Sequence, residues 1–272
     1  MTTGSAQAWY VYNVLPEAAD APAVAGILPD SSVEAIDFEQ LTVLVSPVPR
    51  GLFDRDSPAN RTADPVWMAA RLEAHHAVNV AATEAGACLP LAFGALFSSL
   101  DLLREWVTPR ADALRSALAR VTGQTEWALS MQEDAAAHAA WLDREDPELK
   151  RLSEAAAAAG EGTAYLLARR LEKARTAARL GHIGAAAAGV AERLSEIRCG
   201  LLDEPLRAGL PGWTLLVSGH GDAGPDRPNA LSERVRVLAA DLEPAGLSLR
   251  LSGPWPAYGF ARAALAREEV DA

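Results

Sequence analysis

A long stretch with almost no strand-forming pattern, from Asp134 to about Arg198, constrains this chain more than any other feature. Alanine runs at Ala155–Ala159 and Ala185–Ala188 favour helix, but each alanine buries little apolar surface. Turn-forming residues interrupt the pattern at Asp146-Pro147 and at Gly160-Glu161-Gly162. The stretch therefore predicts several long, thinly packed helices, and any sheet must be built from the residues on either side.

The residues around this stretch carry strand and helix patterns in a definite order. We predict a strand at 125–131, a strand within 197–206, a strand at 213–218, a helix at 229–242 and a strand at 247–251. With the long helical stretch after the first strand, the order is β, long α, β, β, α, β. This is the split βαβ order of ferredoxin-like folds.

The first part of the chain mixes strands and helices without a regular βαβ alternation. Strands are predicted at 8–14, 33–38 and 41–45, and a helix is predicted to begin at Asp64-Pro65 and end at Gly86. Ser98 is expected to cap a further helix that Pro109 kinks and that ends at Val121. The i+4 row on the first helix predicts its sheet-facing side: Val66, Ala70, Ala74, Val78 and Ala82.

These patterns predict an α+β protein of two domains rather than a doubly wound α/β fold. We place the boundary near residue 122. Residues 1–122 form a mixed α+β sheet domain, and residues 123–272 form a modified ferredoxin-like domain with long helices, a helical insertion and a C-terminal tail.

The charge excludes several classes of partner. A formal net charge of −11 repels phosphate backbones and anionic membrane surfaces, so we expect neither nucleic acid nor membrane as a partner. The chain has no window of about 18 uninterrupted apolar residues, and Met1–Ala8 lacks the pattern of a signal peptide. We therefore expect a soluble, cytoplasmic protein.

The sequence offers no arrangement typical of a metal site or another cofactor site. Cys88 and Cys199 lie far apart, and we expect two buried thiols in a reducing compartment. His75 and His76 are adjacent and point to different sides of their helix, whereas the other three histidines stand alone in sequence. We therefore expect no metal and no cofactor.

A glycine-rich loop offers an alternative function. Gly219, Gly221 and Gly224 match G-x-G-x-x-G after a predicted strand, which would suit a nucleotide-dependent enzyme. Pro225 to Pro228 separate the loop from the next helix, so the first amides of that helix are displaced from it. A flexible connection between strand and helix explains the same glycines without a ligand.

The most unusual segment is Ser252-Gly-Pro-Trp-Pro-Ala-Tyr-Gly-Phe260. Its prolines and glycines restrict the backbone while Trp255, Tyr258 and Phe260 carry large apolar side chains, and we expect neither a helix nor a central strand here. One interpretation is a rigid turn that packs its aromatic side chains onto a sheet. The other is an aromatic edge that docks another protein, because preorganised aromatic residues are typical interface anchors.

Gly253-Pro-Trp-Pro-Ala-Tyr-Gly-Phe260 resembles the GPWPPYSF-like signature of the GvpF and GvpL gas vesicle proteins. Trp9-Tyr-Val-Tyr-Asn-Val14 resembles the opening strand of that family, Leu41-Thr-Val-Leu-Val-Ser46 its next sheet strand, and Leu89-Pro-Leu-Ala-Phe-Gly-Ala-Leu-Phe97 its LPLRFGTVF-like segment. Glu126-Trp127 is similar to the start of its second domain. The resemblance extends from about residue 8 to residue 262.

The sequence departs from the family pattern at a few positions. Ala92 stands where the family has arginine, and Ala95 replaces a threonine-like residue. Ala257 and Gly259 are milder changes. The role of the family's arginine is therefore in doubt for this chain.

The resemblance implies a cofactor-free, non-enzymatic component of gas vesicles that binds the hydrophobic shell protein GvpA and limits its aggregation during nucleation. Other accessory gas vesicle proteins are further expected partners, and the location would be the cytoplasm and the gas vesicle. The resemblance and the aromatic content together suggest five residues as partner-binding candidates: Trp255, Tyr258, Phe260, Phe93 and Phe97.

Overall fold

A computed structural model describes residues 7–53, 57, 60–195, 200–207, 209–218 and 227–271. Contacts divide the chain into two compact units, one formed by Met1–Glu126 with Pro254–Ala272 and the other by Trp127–Gly253. Each unit has its own sheet with helices beside it, and this confirms the predicted α+β class. No helix in the described ranges combines the length and apolarity needed to cross a membrane.

The described strands, in chain order, are β1 Gln7–Pro16, β2 Glu34–Phe38, β3 Leu41–Pro49, β4 Leu89–Pro90, β5 Leu96–Phe97, β6 Gln124–Glu133, β7 Gly200–Arg207, β8 Leu210–Ser218 and β9 Leu247–Trp255. The described α-helices are α1 Pro65–Ala85, α2 Leu100–Val107, α3 Ala111–Val121, α4 Ala135–Glu145, α5 Pro147–Ala158, α6 Glu161–Ser195, α7 Arg227–Leu242 and α8 Tyr258–Asp271.

The first unit is a sheet with a packed layer on each face. Its strand order is β2-β3-β1-β4, and β5 pairs with another part of β1. One face of the sheet packs against α1, as Tyr10 and Val78 show. The other face packs against α2, α3 and α8 through residues such as Leu103, Leu114 and Ala261. The central strand β1 is therefore buried on both sides.

An irregularity in β1 changes which side chains face α1. The pairing with β3 shifts in register between Val11 and Asn13, so Tyr12 is an extra residue on its strand. As a result Tyr12 and Asn13, although adjacent, both reach side chains on the α1 side. Strict alternation along the strand would have placed one of them on the opposite face.

The predicted start of α1 is confirmed, because the Asp64 carboxylate accepts hydrogen bonds from the amides of Val66 and Trp67. The predicted sheet-facing row is wrong at its first position, since Val66 is 79% exposed. His75 and Asn79 are instead among the buried residues of the helix. The next helix, α2, is capped by Ser99 rather than by the predicted Ser98.

The second unit has its elements in the predicted order of strand, helices, two strands, helix and strand. The sheet order is β7-β8-β6-β9, and its core includes Leu129, Leu194, Leu215 and Leu247. The predicted helix breaks are confirmed, since Asp146 caps α5 and α6 begins at Glu161.

The unusual segment at 252–260 is divided between a strand and a helix. Strand β9, at the edge of its sheet, continues to Trp255, and α8 begins at Tyr258. The expectation that no part of the segment is helical is therefore wrong, because Pro256 precedes the helix instead of interrupting it. Pro254–Ala272, predicted as the tail of the second domain, group with the first unit, where α8 buries Ala261.

Candidate functional site

The first unit brings together three of the five proposed partner-binding residues. Phe93 and Tyr258 lie around His75 of α1, with ring centroids 5.7 and 6.2 Å from the imidazole. Trp255 lies 5.4 Å from the ring of the neighbouring His76.

The other two proposed residues lie elsewhere in the first unit. Phe97 packs against Trp106, with ring centroids 6.0 Å apart, among the residues that cover the opposite face of the sheet. Phe260 is half-buried in the first turn of α8. The five residues therefore do not form one continuous surface.

The outer part of this aromatic cluster is accessible to a partner. The Trp255 residue is 39% exposed. Its neighbour His76 lies nearly parallel to Tyr258, and the Nδ1 atom of His76 is 3.2 Å from the Tyr258 hydroxyl. Burial raises the pKa of Tyr258 to about 12, so this phenol stays protonated. Trp255 thus packs on the His76 ring while part of its side chain stays exposed to solvent.

Beneath these aromatic residues, a set of buried polar groups around His75 fixes α1 to the sheet. His75 Nδ1 lies 2.9 Å from the Tyr10 hydroxyl, and the same hydroxyl accepts a hydrogen bond from the amide of Gly94. The His75 ring also stacks on Tyr12. Burial lowers the pKa of His75 to about 4, so the imidazole is neutral at physiological pH.

Asn79 lies one helical turn after His75 and extends this set of groups. Its Oδ1 atom accepts a 2.8 Å hydrogen bond from the Asn13 amide, and its Nδ2 atom lies 3.1 Å from His75 Nε2. The Cys88 thiol is also directed to Asn79 Oδ1. Burial raises the pKa of Cys88 to about 12, so its thiol is a poor nucleophile at neutral pH.

A buried carboxylate fixes the start of α8 and thereby the position of Tyr258. The Glu126 side chain accepts hydrogen bonds from the amides of Gly259, at 2.8 and 3.0 Å, and of Phe260, at 3.1 Å. A carboxylate is stabilised there because the first amides of a helix lack intrahelical partners. Sequence reasoning missed this role, although an acidic residue in a strand next to Trp127 was the available signal.

A pocket of about 400 Å³ opens beside the aromatic cluster. It is lined mainly by apolar side chains, with one phenol and one guanidinium: Pro90, Leu91, Ala92, Tyr258, Arg262, Leu265 and Ala266. Ala92, where the resemblance leads us to expect arginine, is exposed and lines the pocket with only a methyl group. The pocket therefore suits an apolar group of a partner protein.

The described residues do not assemble a recognisable catalytic or metal centre. No group of three His, Cys, Asp or Glu in the described ranges could hold a metal ion. His138 and His182, which stand alone in sequence, come together in the second unit, where His138 Nε2 lies 2.8 Å from His182 Nδ1. The Gly219–Gly224 loop and Cys199 lie outside the described residues.

The chain is similar to gas vesicle proteins along most of its length. Residues 8–262 match the family described as gas vesicle synthesis protein GvpL/GvpF. A gas vesicle protein L of Haloferax mediterranei is 25% identical over 254 residues, which cover 85% of this chain and 71% of the relative. A gas vesicle protein L of a Streptomyces species is 27% identical over 241 residues, which cover 85% and 82% of the two chains.

Solved structures show the same fold. The crystal structure of GvpF from Anabaena sp. PCC7120 superposes with a TM-score of 0.73 at 15% identity, covering 94% of this chain and 98% of that one. GvpF from Microcystis aeruginosa gives a TM-score of 0.67 at 17% identity, covering 93% and 98%.

Proposed function

Because the chain belongs to the GvpL/GvpF family of gas vesicle proteins, we propose that it binds the hydrophobic shell protein GvpA and limits its aggregation during gas vesicle nucleation. The proposed place of action is the cytoplasm, at the forming vesicle. Other accessory gas vesicle proteins are proposed as additional partners. No catalytic step is part of this function.

The observation that carries the proposal is an exposed aromatic side chain next to an apolar pocket in the first unit. Trp255 supplies the exposed surface, and Ala92 and Leu265 line the pocket. Tyr258 links the two, since it contacts His76 on one side and lines the pocket on the other. Large aromatic anchors beside a desolvated pocket are the usual centre of a protein interface.

The physical chemistry of shell assembly supports this assignment. A subunit of a gas-retaining wall must expose apolar surface before it assembles, and such surface promotes aggregation unless another protein covers it. A partner with a net charge of −11 would keep the complex dispersed. An apolar site on an otherwise acidic protein therefore suits a carrier of the shell subunit.

We propose Trp255 and Tyr258 as the principal contacts and keep Phe93, Phe97 and Phe260 as secondary candidates. The last three are half-buried, so their truncation would also disturb packing. Trp255 is the better test residue because its side chain can be removed at little cost to the core.

The decisive experiment is co-expression of GvpA with the affinity-tagged chain, followed by pull-down and light scattering. We expect Trp255→Ala and Ala92→Glu each to lower GvpA retention at least about tenfold, because one removes the anchor and the other puts a charge in the pocket. Tyr165→Ala is the matched control, since Tyr165 is an aromatic residue of the second unit that is 63% exposed.

Two results would count against the proposal. If the wild-type chain neither retains GvpA nor lowers its light scattering, the function is wrong. If it does both and the two variants behave like Tyr165→Ala while circular dichroism shows them folded, the function stands and the site is elsewhere.

A further inference from the structure

The second unit contains a chain of three polar side chains, here called the histidine chain, formed by Glu133, His138 and His182. The Glu133 and His138 side chains are buried, and His182 is partly exposed. Glu133 ends β6, His138 lies on α4 and His182 lies on α6. The Glu133 carboxylate is 2.6 Å from His138 Nδ1, and His138 Nε2 is 2.8 Å from His182 Nδ1. Arg179 of α6 also binds both oxygens of Glu133.

The order of donors and acceptors along the histidine chain fixes which nitrogens carry protons. The Arg179 guanidinium lowers the pKa of Glu133, so the carboxylate is ionised and can only accept. His138 must therefore donate from Nδ1. Glu133 and Arg179 already balance each other's charge, and adding a positive imidazolium at the fully buried His138 would be costly. In the arrangement with one proton on each imidazole, His138 Nε2 then accepts a hydrogen bond from His182 Nδ1.

The same reasoning extends to the last member of the histidine chain. Because His138 Nε2 accepts, His182 donates from Nδ1, and its Nε2 atom carries a lone pair. His182 lines a pocket of about 370 Å³. The buried carboxylate at one end thereby sets a hydrogen-bond acceptor at the other end.

The pocket around His182 is formed by the end of α4 and the facing part of α6: Trp141, Leu142, Glu145, Asp146, Ala178, Gly181 and His182. Glu145 and Asp146 contribute carboxylates, and none of the lining residues carries a positive charge. Asp146 also caps α5 through its Oδ1 atom, and the partial charges of the C-terminal end of α4 and the N-terminal end of α5 offset each other there. The negative charge of the pocket therefore comes from the two carboxylates. The Trp141 ring stacks on His182 with centroids 4.4 Å apart.

We propose that this pocket binds an arginine side chain presented by a partner protein. A guanidinium is planar and carries only donors, so it can stack on Trp141 while donating to the carboxylates and to His182 Nε2. A carboxylate or a phosphate is repelled by the same groups. The proposal is independent of GvpA binding, which was assigned to the other unit.

A guanidinium already present near the pocket does not prevent this binding. Arg144 donates to Glu145 at 2.8 Å, but the two side chains are 63% and 48% exposed. Such a surface pair contributes little free energy, so a partner's arginine can replace it. The other arginines of this region are held by bidentate contacts, Arg175 to Asp143 and Arg179 to Glu133.

The test uses the full chain labelled with 15N-histidine and the probe N-acetyl-arginine-N-methylamide. We expect His182 to be in the Nδ1–H form without probe, and its Nε2 resonance to shift saturably as the probe is added. The neutral citrulline analogue is the matched control and should produce no shift at the same concentration. A His182 in the Nε2–H form, or an equal response to citrulline, overturns the proposal.

Variants of the pocket supply a second test that leaves the histidine chain intact. A Cβ at Gly181 would meet no atom within 4 Å, so Gly181→Leu should fold while its side chain fills the pocket and abolishes the shift. Gly181→Ala should retain it. Glu145→Gln combined with Asp146→Asn should weaken binding at least about tenfold, whereas Glu148→Gln on the exposed face of α5 should not.

Two outcomes of these experiments contradict the proposal directly. Binding that persists in a folded Gly181→Leu variant would show that the probe binds elsewhere. A saturable response of His182 to zinc chloride without any response to the arginine probe would make this a metal site, and the arginine proposal would be wrong.

Discussion

Each unit of this protein buries a histidine, and the two histidines have opposite kinds of partners. His75 in the first unit contacts a phenol and an amide, from Tyr10 and Asn79. His138 in the second unit contacts the Glu133 carboxylate and a second imidazole. The two imidazoles are almost equally buried, so burial alone does not decide what such a residue does.

The groups that contact each histidine decide its role. The Asn79 Nδ2 group can only donate, so His75 Nε2 accepts and His75 Nδ1 donates to the Tyr10 hydroxyl. All these partners are neutral, and their contacts hold a helix against a sheet. A carboxylate can only accept, so it orients every donor along the chain that begins with it. We therefore interpret His75 as a structural residue that supports the segment around Trp255. We interpret His138 as the residue that determines which nitrogen of His182 carries the proton.

The largest expected effect on stability comes from removing the Glu133 carboxylate, which pairs with His138 in the second unit. Glu133→Ala removes two hydrogen bonds from Arg179 and one from His138, whose side chain is fully buried. The buried His138 donor would be left unpaired, whereas Arg179 is 38% exposed and could bind water instead, so the free energy of unfolding should fall by about 3 kcal/mol. Urea unfolding followed by circular dichroism measures this loss.

Glu148→Ala is the control for Glu133→Ala, since its pair with Arg151 is about half exposed on both sides. It should change the unfolding free energy by less than about 0.5 kcal/mol. Equal losses for the two variants would show that the Glu133 carboxylate is not a structural group of the second unit, and the comparison of the two histidines would fail.

The helices and strands could be predicted from the sequence better than the contacts among the buried polar groups. Local signals determine element boundaries, and the Asp64-Pro65 and Asp146-Pro147 helix starts were predicted from the residues at those positions. The contact between His138 and His182 depends on two helices that are separate in sequence, and no local pattern encodes their pairing. His75 and Asn79 had a weak signal as polar residues in line with the buried Ala82.

The second expected effect is a pH dependence of the free energy of unfolding that comes from the buried, neutral His75. His75 has an ordinary pKa of 6.5 when unfolded and a pKa of about 4 in the folded chain, because burial disfavours the imidazolium. As pH falls below 6.5, the unfolded state takes up a proton that the folded state does not bind until about pH 4. The free energy of unfolding should therefore fall by up to about 3 kcal/mol across this window.

Urea unfolding at pH 7 and at pH 4.5 measures the contribution of His75. The difference between the two pH values should be smaller in His75→Gln, which retains a polar side chain without a titrating group. His76→Gln is the matched control and should keep most of the wild-type difference, because burial, and not the neighbouring His76, is the main cause of the lowered His75 pKa. If His75→Gln keeps it as well, His75 is not the group responsible.

Part of the geometry around Trp255 could be predicted from the sequence. The segment that ends in Phe260 was recognised as unusual from its composition, and Trp255 is indeed the exposed aromatic residue within it. The helix that begins at Tyr258 was missed because proline and glycine were interpreted as helix breakers, whereas they lie before and inside the first turn. The Glu126 carboxylate that caps this turn comes from a strand far away in sequence.

The smallest expected effect tests a buried carboxylate that binds backbone amides. Glu126 is 7% exposed and accepts from Gly259 and Phe260, so Glu126→Gln keeps an oxygen acceptor but loses the charge that favours the helix N-terminus. The unfolding free energy should fall by about 1 kcal/mol, and the Gly259 and Phe260 amides should exchange faster with solvent. Glu105→Gln, on an exposed position of α2, should change neither.

Glu126→Gln and Glu133→Gln together distinguish a carboxylate that binds backbone amides from one that orients histidine protons. The Gly259 and Phe260 amides donate in one direction only, so Glu126 determines no proton position through them, and Glu126→Gln should leave the 15N resonances of His182 unchanged. Glu133→Gln should shift the 15N resonances of His182, because its neutral amide no longer requires His138 to donate. If Glu133→Gln left the His182 resonances unchanged, the histidine chain would be no more than packing, as we interpret the contacts of His75.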